Sequence, residues 1–258
     1  MRDMAIKYQS VIGLTLKKAA LLLVLTSQIA AASVTISGTR IIFPGGERER
    51  TVRTTNKGTM PALVQVWIDD GQKNQDINAA KVPFTATPPV YRVEPGKGQS
   101  LRLIYNGMTL PQDRESVFWF NLLEIPPVDE KVKQGDHLEL AFRTRIKLFY
   151  RPKSLITSSS ADNADKLRWE TVGNGIKVTN PTPYYFSFDS AEVNFAGNKL
   201  PLKVDMVPPF GNMEFTLANK GSIPGGIKDI RLGLINDYGT VNNIYLISSG
   251  GKGLAIKK

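Results

Sequence analysis

Apolar side chains along residues 33–153 alternate with polar ones or fall in short runs rich in Val, Ile, Phe and Tyr, and glycines and prolines separate the runs. VTISGTRIIF, TVRTTN, ALVQVWIDD, YRVEPG, SLRLIYN and SVFWFNLLEI each predict a strand. After Pro152 the stretch KSLITSSSADNADK is poor in apolar residues and predicts a connection. Beyond it, KLRWETV, GIKVTN, YYFSFDSAEVNF, KLPLKV, EFTLAN, DIRLGLIND and VNNIYLIS predict a second set of strands. No window of helical length carries a 3.6-residue stripe, and the short NQDINAAKV comes nearest. Turn signals every 8–12 residues or so predict an all-β chain of two sandwiches with Greek-key connections, over 33–153 and about 160–258.

One run stands out. Residues 137–152, HLELAFRTRIKLFYRP, put Arg143, Arg145, Lys147 and Arg151 on one parity and Leu138, Leu140, Phe142, Ile146 and Leu148 on the other. Periodicity alone favours the plain interpretation, in which the apolar parity fills the strand's own core and the cations face water.

The N-terminus changes the charge count. Lys17 and Lys18, the apolar stretch Ala19–Leu25 and the Ala30-Ala31-Ala32 pattern before Ser33 predict a secretory signal peptide over residues 1–32. The apolar stretch is too short to span a bilayer. Its removal takes Arg2, Lys7, Lys17, Lys18 and Asp3 with it, so the net charge falls by three, from +10 to +7. In an exported protein this basic balance points to solubility, acidic surfaces or an anion site rather than nucleic acid. The chain has no cysteine, so burial and not a disulfide framework must hold the fold.

Candidate chemistry is sparse. His137 is the single histidine, and it opens a strand instead of joining a cluster. No nucleophile elbow, phosphate-binding loop, zinc motif, dinucleotide fingerprint or EF-hand loop is present. No catalytic residue, metal site or cofactor is therefore expected, although a pair of carboxylates without a local signature would leave a hydrolase open. An adhesive or carbohydrate-binding sandwich is the alternative from another class.

At residues 110–127, LPQDRESVFWFNLLEIPP, the chain resembles the periplasmic chaperones of the chaperone/usher pilus-assembly pathway. TRIIFPG, ATPPVYRVEPGKGQSLRL, IKLFYRP, NPTPYYFS and INDYG carry the same resemblance in the same order. It implies a non-enzymatic periplasmic protein of two immunoglobulin-like domains in a boomerang arrangement, which completes pilus subunits with a donated strand and hands them to an outer-membrane usher. It further implies that Leu138, Leu140 and Phe142 are the donated side chains, and that Arg40 and Lys147 hold the subunit's C-terminal carboxylate. Glu115, Arg151 and Asp237 match the family's interdomain ion pairs, and Arg143 and Arg145 match nothing and are expected to be solvated or to protect the edge. The short connection VDEKVKQGD resembles the branch that serves rod-type pili, and Pro88-Pro89 suits a rigid turn. Whether the free form self-associates is left open, as are the subunit and usher served.

Overall fold

A computed structural model describes residues 33–72, 82–127, 140–195, 197–219, 221–223 and 227–257. The first half contains β1 (Val34–Ile36), β2 (Arg40–Pro44), β3 (Glu49–Asn56), β4 (Ala62–Asp69), β5 (Phe84–Thr87), β6 (Val90–Val93), β7 (Gly98–Tyr105), β8 (Ser116–Ile125) and β9 (Phe142–Arg151). They form two sheets, in the orders β1-β3-β7-β5 and β2-β9-β8-β4-β6. Each strand turns one parity inward, as half-buried strands must. Val64, Val66 and Ile68 of β4, Leu101 and Leu103 of β7, and Phe118, Phe120 and Leu122 of β8 meet Phe43 in one core.

The run VTISGTRIIF is not the single strand its pattern predicts. It breaks at Ser37–Thr39, so that β1 pairs with β3 in one sheet and β2 pairs with β9 in the other. Gly38 adopts φ +97°, a conformation open to glycine and strained for other residues, and this lets the chain change layers. The Thr87–Pro88 peptide bond is cis. NQDINAAKV lies almost wholly outside the described residues.

The connection after Pro152 folds into two short 3-10 segments, Lys153–Leu155 and Ala161–Lys166. The second half follows as β10 (Arg168–Val172), β11 (Gly175–Thr179), β12 (Ser187–Phe195), β13 (Asn198–Lys203), β14 (Asn212–Leu217), β15 (Asp229–Ile235), β16 (Val241–Gly250) and β17 (Gly253–Ile256). Its two layers are joined by short pairings, β10 with β17 and β13 with β14, into a closed ring in which every described strand has a neighbour on both sides. Ile176, Val178, Val193, Phe215, Ile230 and Leu232 fill its separate core.

Candidate functional site

The outer parity of β9 runs Arg143, Arg145, Lys147, Phe149, Arg151, while Ile146, Leu148 and Tyr150 point into the core of the first half. Along this row the surroundings change from open to closed. Phe149 and Arg151 are buried although they lie on the outer face, because the second half covers them: the Phe149 ring lies 5.8 Å from that of Tyr185.

Arg151 makes the tightest contacts. Its Nε donates to Glu115 Oε1 at 2.7 Å, and Nη1 and Nη2 donate to Asp237 Oδ2 and Oδ1 at 2.7 and 2.9 Å. Nη1 also donates to the Ser158 carbonyl at 3.2 Å. Glu115, 3% exposed, accepts the Tyr185 amide with its other oxygen at 2.8 Å. Burial acts to lower the pKa of Arg151, but the hydrogen bonds and charges of Asp237 and Glu115 outweigh it, and its basicity rises above the ordinary value. Asp237 is carried by a turn shaped by Asn236, whose Oδ1 accepts the Tyr238 and Thr240 amides at 3.0 Å each. Gly239 in that turn, at φ +84°, approaches Thr39 so closely that a Cβ would lie 2.3 Å from Thr39 Oγ1. The structure therefore brings Glu115, Arg151 and Asp237 into one ion-pair group spanning the two halves.

Arg40 and Lys147 are register partners across the parallel β2–β9 pair. Two cations directly opposite one another repel. Neither forms a salt bridge among the described residues: Arg40 Nη1 donates to the Ile235 carbonyl at 3.2 Å and Lys147 Nζ to Ser187 Oγ at 3.2 Å. Arg40 Nε is buried without a hydrogen-bond partner. Burial, and then the charge of Arg40, holds the Lys147 ammonium below the usual lysine value, and burial likewise lowers Arg40. The charges of Asp237 and Glu115 offset part of this for Arg40, and that of Asp205 for Lys147, so the pair is a half-buried cationic site suited to charge-assisted hydrogen bonds with a carboxylate.

Arg143 and Arg145 are not simply solvated. Arg145 Nη2 donates to Asp69 Oδ1 at 2.6 Å, and Arg143 Nη2 donates to Asn121 Oδ1 at 2.7 Å and lies 3.4 Å from Asp69 Oδ2. Asp69 is 8% exposed and also accepts Asn121 Nδ2 at 2.9 Å. The two guanidiniums stack over indoles, Arg143 Cζ at 5.0 Å from the Trp67 ring and Arg145 Cζ at 4.3 Å from that of Trp119. No local motif links Asp69 to β9, so only the sheet order β9-β8-β4 reveals the group.

The edge of β9 is the remaining element. β2 begins at Arg40 opposite Lys147, so on that side Phe142–Ile146 have no partner strand among the described residues; on the other side they pair with β8. Leu140 is 51% exposed and Phe142 is half-buried, and neither belongs to the core cluster. Described β9 begins at Phe142; Leu138 and His137 lie outside the described residues.

Comparison with known proteins agrees over most of the chain. A family described as "Pili and flagellar-assembly chaperone, PapD N-terminal domain" matches residues 33–156, and "Pili assembly chaperone PapD, C-terminal domain" matches residues 162–245. The probable fimbrial chaperone YadV of Escherichia coli K12 is 43% identical over 220 residues, covering 83% of this chain and 89% of YadV. Among solved structures, the SafB chaperone of Salmonella enterica, determined in complex with the SafA pilin, superposes with a TM-score of 0.71 at 28% identity, covering 86% of this chain and 99% of SafB. The periplasmic chaperone SfaE superposes with a TM-score of 0.62 at 32% identity, covering 82% and 98%.

Proposed function

Because the chain belongs to the family of pili assembly chaperones, whose members are chaperones and not enzymes, we propose that it completes the fold of a pilus subunit in trans in the periplasm, caps it, and delivers it to an outer-membrane usher. Residues 1–32 serve as the export leader, residues 33–153 as the subunit-binding domain and residues 160–258 as the second immunoglobulin-like domain. The observation that carries this proposal is the pairing of Arg40 with Lys147, neither of which forms a salt bridge among the described residues, with Arg40 Nε buried and unpartnered there. A subunit's terminal carboxylate would satisfy Arg40 Nε, relieve the repulsion and fix the guest's register in one step.

The open edge of β9 supports the same reading. The N–H and C=O groups of Phe142–Ile146 that meet no partner strand among the described residues suit strand addition, and alternate side chains at Leu138, Leu140 and Phe142 suit successive pockets of a guest. Each buried apolar side chain would contribute about 1.5–3 kcal/mol and each new main-chain hydrogen bond a net of about 0.5–1.5 kcal/mol before ordering costs. A slip of one residue would offer Glu139, Ala141 and Arg143 instead, so the carboxylate anchor and the apolar row enforce one register. Delivery to an usher rests on family membership. A sugar-binding role draws no support from the outer indoles Trp67 and Trp119, whose faces lie against Arg143 and Arg145.

Substituting Arg40→Ala or Lys147→Ala tests the proposal. Subunit co-purification from periplasm should be lost while circular dichroism stays unchanged. Soluble subunit at wild-type levels with both variants would refute the anchor.

A further inference from the structure

The inward parity of β8 reads Phe118, Phe120, Leu122, Glu124. Three of these are core residues; the fourth is a carboxylate only 5% exposed. Its partners among the described residues are the Val34 amide at 2.9 Å, the Ser33 nitrogen at 3.2 Å and the Ser33 hydroxyl. None of these is a cation as the chain stands with residue 32 attached. A buried carboxylate with neutral donors alone is costly, and native proteins normally pair one with a positive charge.

Ser33 is held there from a second direction. Its carbonyl accepts the Lys57 amide at 2.7 Å, and Gly58 packs so closely that a Cβ would lie 2.5 Å from that of Ser33. The residue whose nitrogen Glu124 holds is also the one that follows Ala30-Ala31-Ala32. We infer that Glu124 is the receptor for the N-terminus of the processed chain. A signal peptidase that hydrolyses the Ala32–Ser33 bond adds one water across it, leaving a carboxylate on Ala32 and an ammonium on Ser33. The ammonium supplies the cation that the Glu124 site lacks and fastens β1 to the opposite sheet. Leader removal thereby completes the first domain: the unprocessed chain presents Glu124 with an amide, and the processed chain presents it with a charge.

The inference rests on the leader assignment above, and two measurements keep the two apart. Intact mass of the exported protein should show Ser33 as the first residue; any other start overturns both. For the second, chains beginning at Ser33 and at Ala32 are released from a cleavable fusion and melted, each with Glu124 and with Glu124→Gln. The Ser33 chain should melt about 2–4 °C higher than the Ala32 chain, a shift typical of one modest interaction in a protein of this size, and the gap should vanish with Gln. Should Glu124→Gln not fold, N-acetylation of the Ser33 chain removes the charge with Glu124 in place and should lower its melting temperature by the same amount. A Ser33 start with no gap, with an equal gap in both backgrounds, or with no effect of acetylation overturns the Glu124 receptor and leaves the leader assignment standing.

Discussion

Replacing Arg151 with methionine removes every charged donor from the ion-pair group while roughly keeping its volume. Four hydrogen bonds go: those to Glu115 Oε1, to both oxygens of Asp237 and to the Ser158 carbonyl. Asp237 is the more exposed acid, with 21% of its side chain accessible, and can return to water. Glu115 cannot, and among the described residues keeps only the Tyr185 amide. Removing one partner of such a buried pair costs about 3–5 kcal/mol, far more than the ~0–1 kcal/mol of an exposed pair. With a urea dependence of about 2–3 kcal/mol/M, the unfolding midpoint should drop by about 1–2 M. The loss should depend on pH. Burial already pushes the Glu115 carboxyl above its ordinary value, with Arg151 pulling against it. Without Arg151 the folded state holds that proton more tightly than the unfolded state does. The penalty is then absent below the ordinary carboxylate value and grows as pH rises through the raised one. Tryptophan fluorescence follows both halves, since Trp67 and Trp119 lie in the first and Trp169 in the second. A loss below about 1 kcal/mol at neutral pH would show that the group does not bear on stability as its burial demands.

Lys147→Met should raise the melting temperature of the free chaperone while abolishing subunit capture, because the substitution removes a desolvated ammonium facing Arg40. Since the Lys147 value is depressed in the folded state, the unfolded chain binds more protons between that value and the ordinary 10.5, so the wild type should gain on Lys147→Met as pH rises through this window. Asp69→Ala should destabilise the first domain by about 1.5–3 kcal/mol in urea titrations, as expected for losing hydrogen bonds to charged groups, whereas Arg143→Ala, removing a half-exposed partner, should cost less than about 1 kcal/mol. Equal losses would mean that the two arginines do not share Asp69 as their contacts indicate.

Strand existence is easily read from the alternation of β4, β7 and β8, because in an antiparallel sheet the inward parity and the apolar parity coincide. The layer change at Gly38 is hidden, since VTI and RIIF carry the same period on either side of it. Of the site, the resemblance picks out Arg40 and Lys147 as well as Glu115, Arg151 and Asp237, and the structure brings each set together. It picks out neither Asp69 nor Glu124. Asp69 meets Arg143 and Arg145 only through strand pairing across β8, and a lone acid at the end of β8 looks like a surface residue until burial is known. The row of cations likewise reads as one solvated face. Its members in fact have three separate environments, set by Asp69 at one end, the second half of the chain at the other, and the neighbouring cation Arg40 between them.

Leu140→Glu tests the central claim most directly. Leu140 is half exposed and outside the core, so the variant's own stability should stay within about 0.5 kcal/mol of wild type. Capture of the subunit should fall by at least a hundredfold, because an unpaired charge would enter a dry pocket of the guest at a cost of several kcal/mol. Unchanged capture, or a chaperone that unfolds by itself, would contradict the donated-strand account.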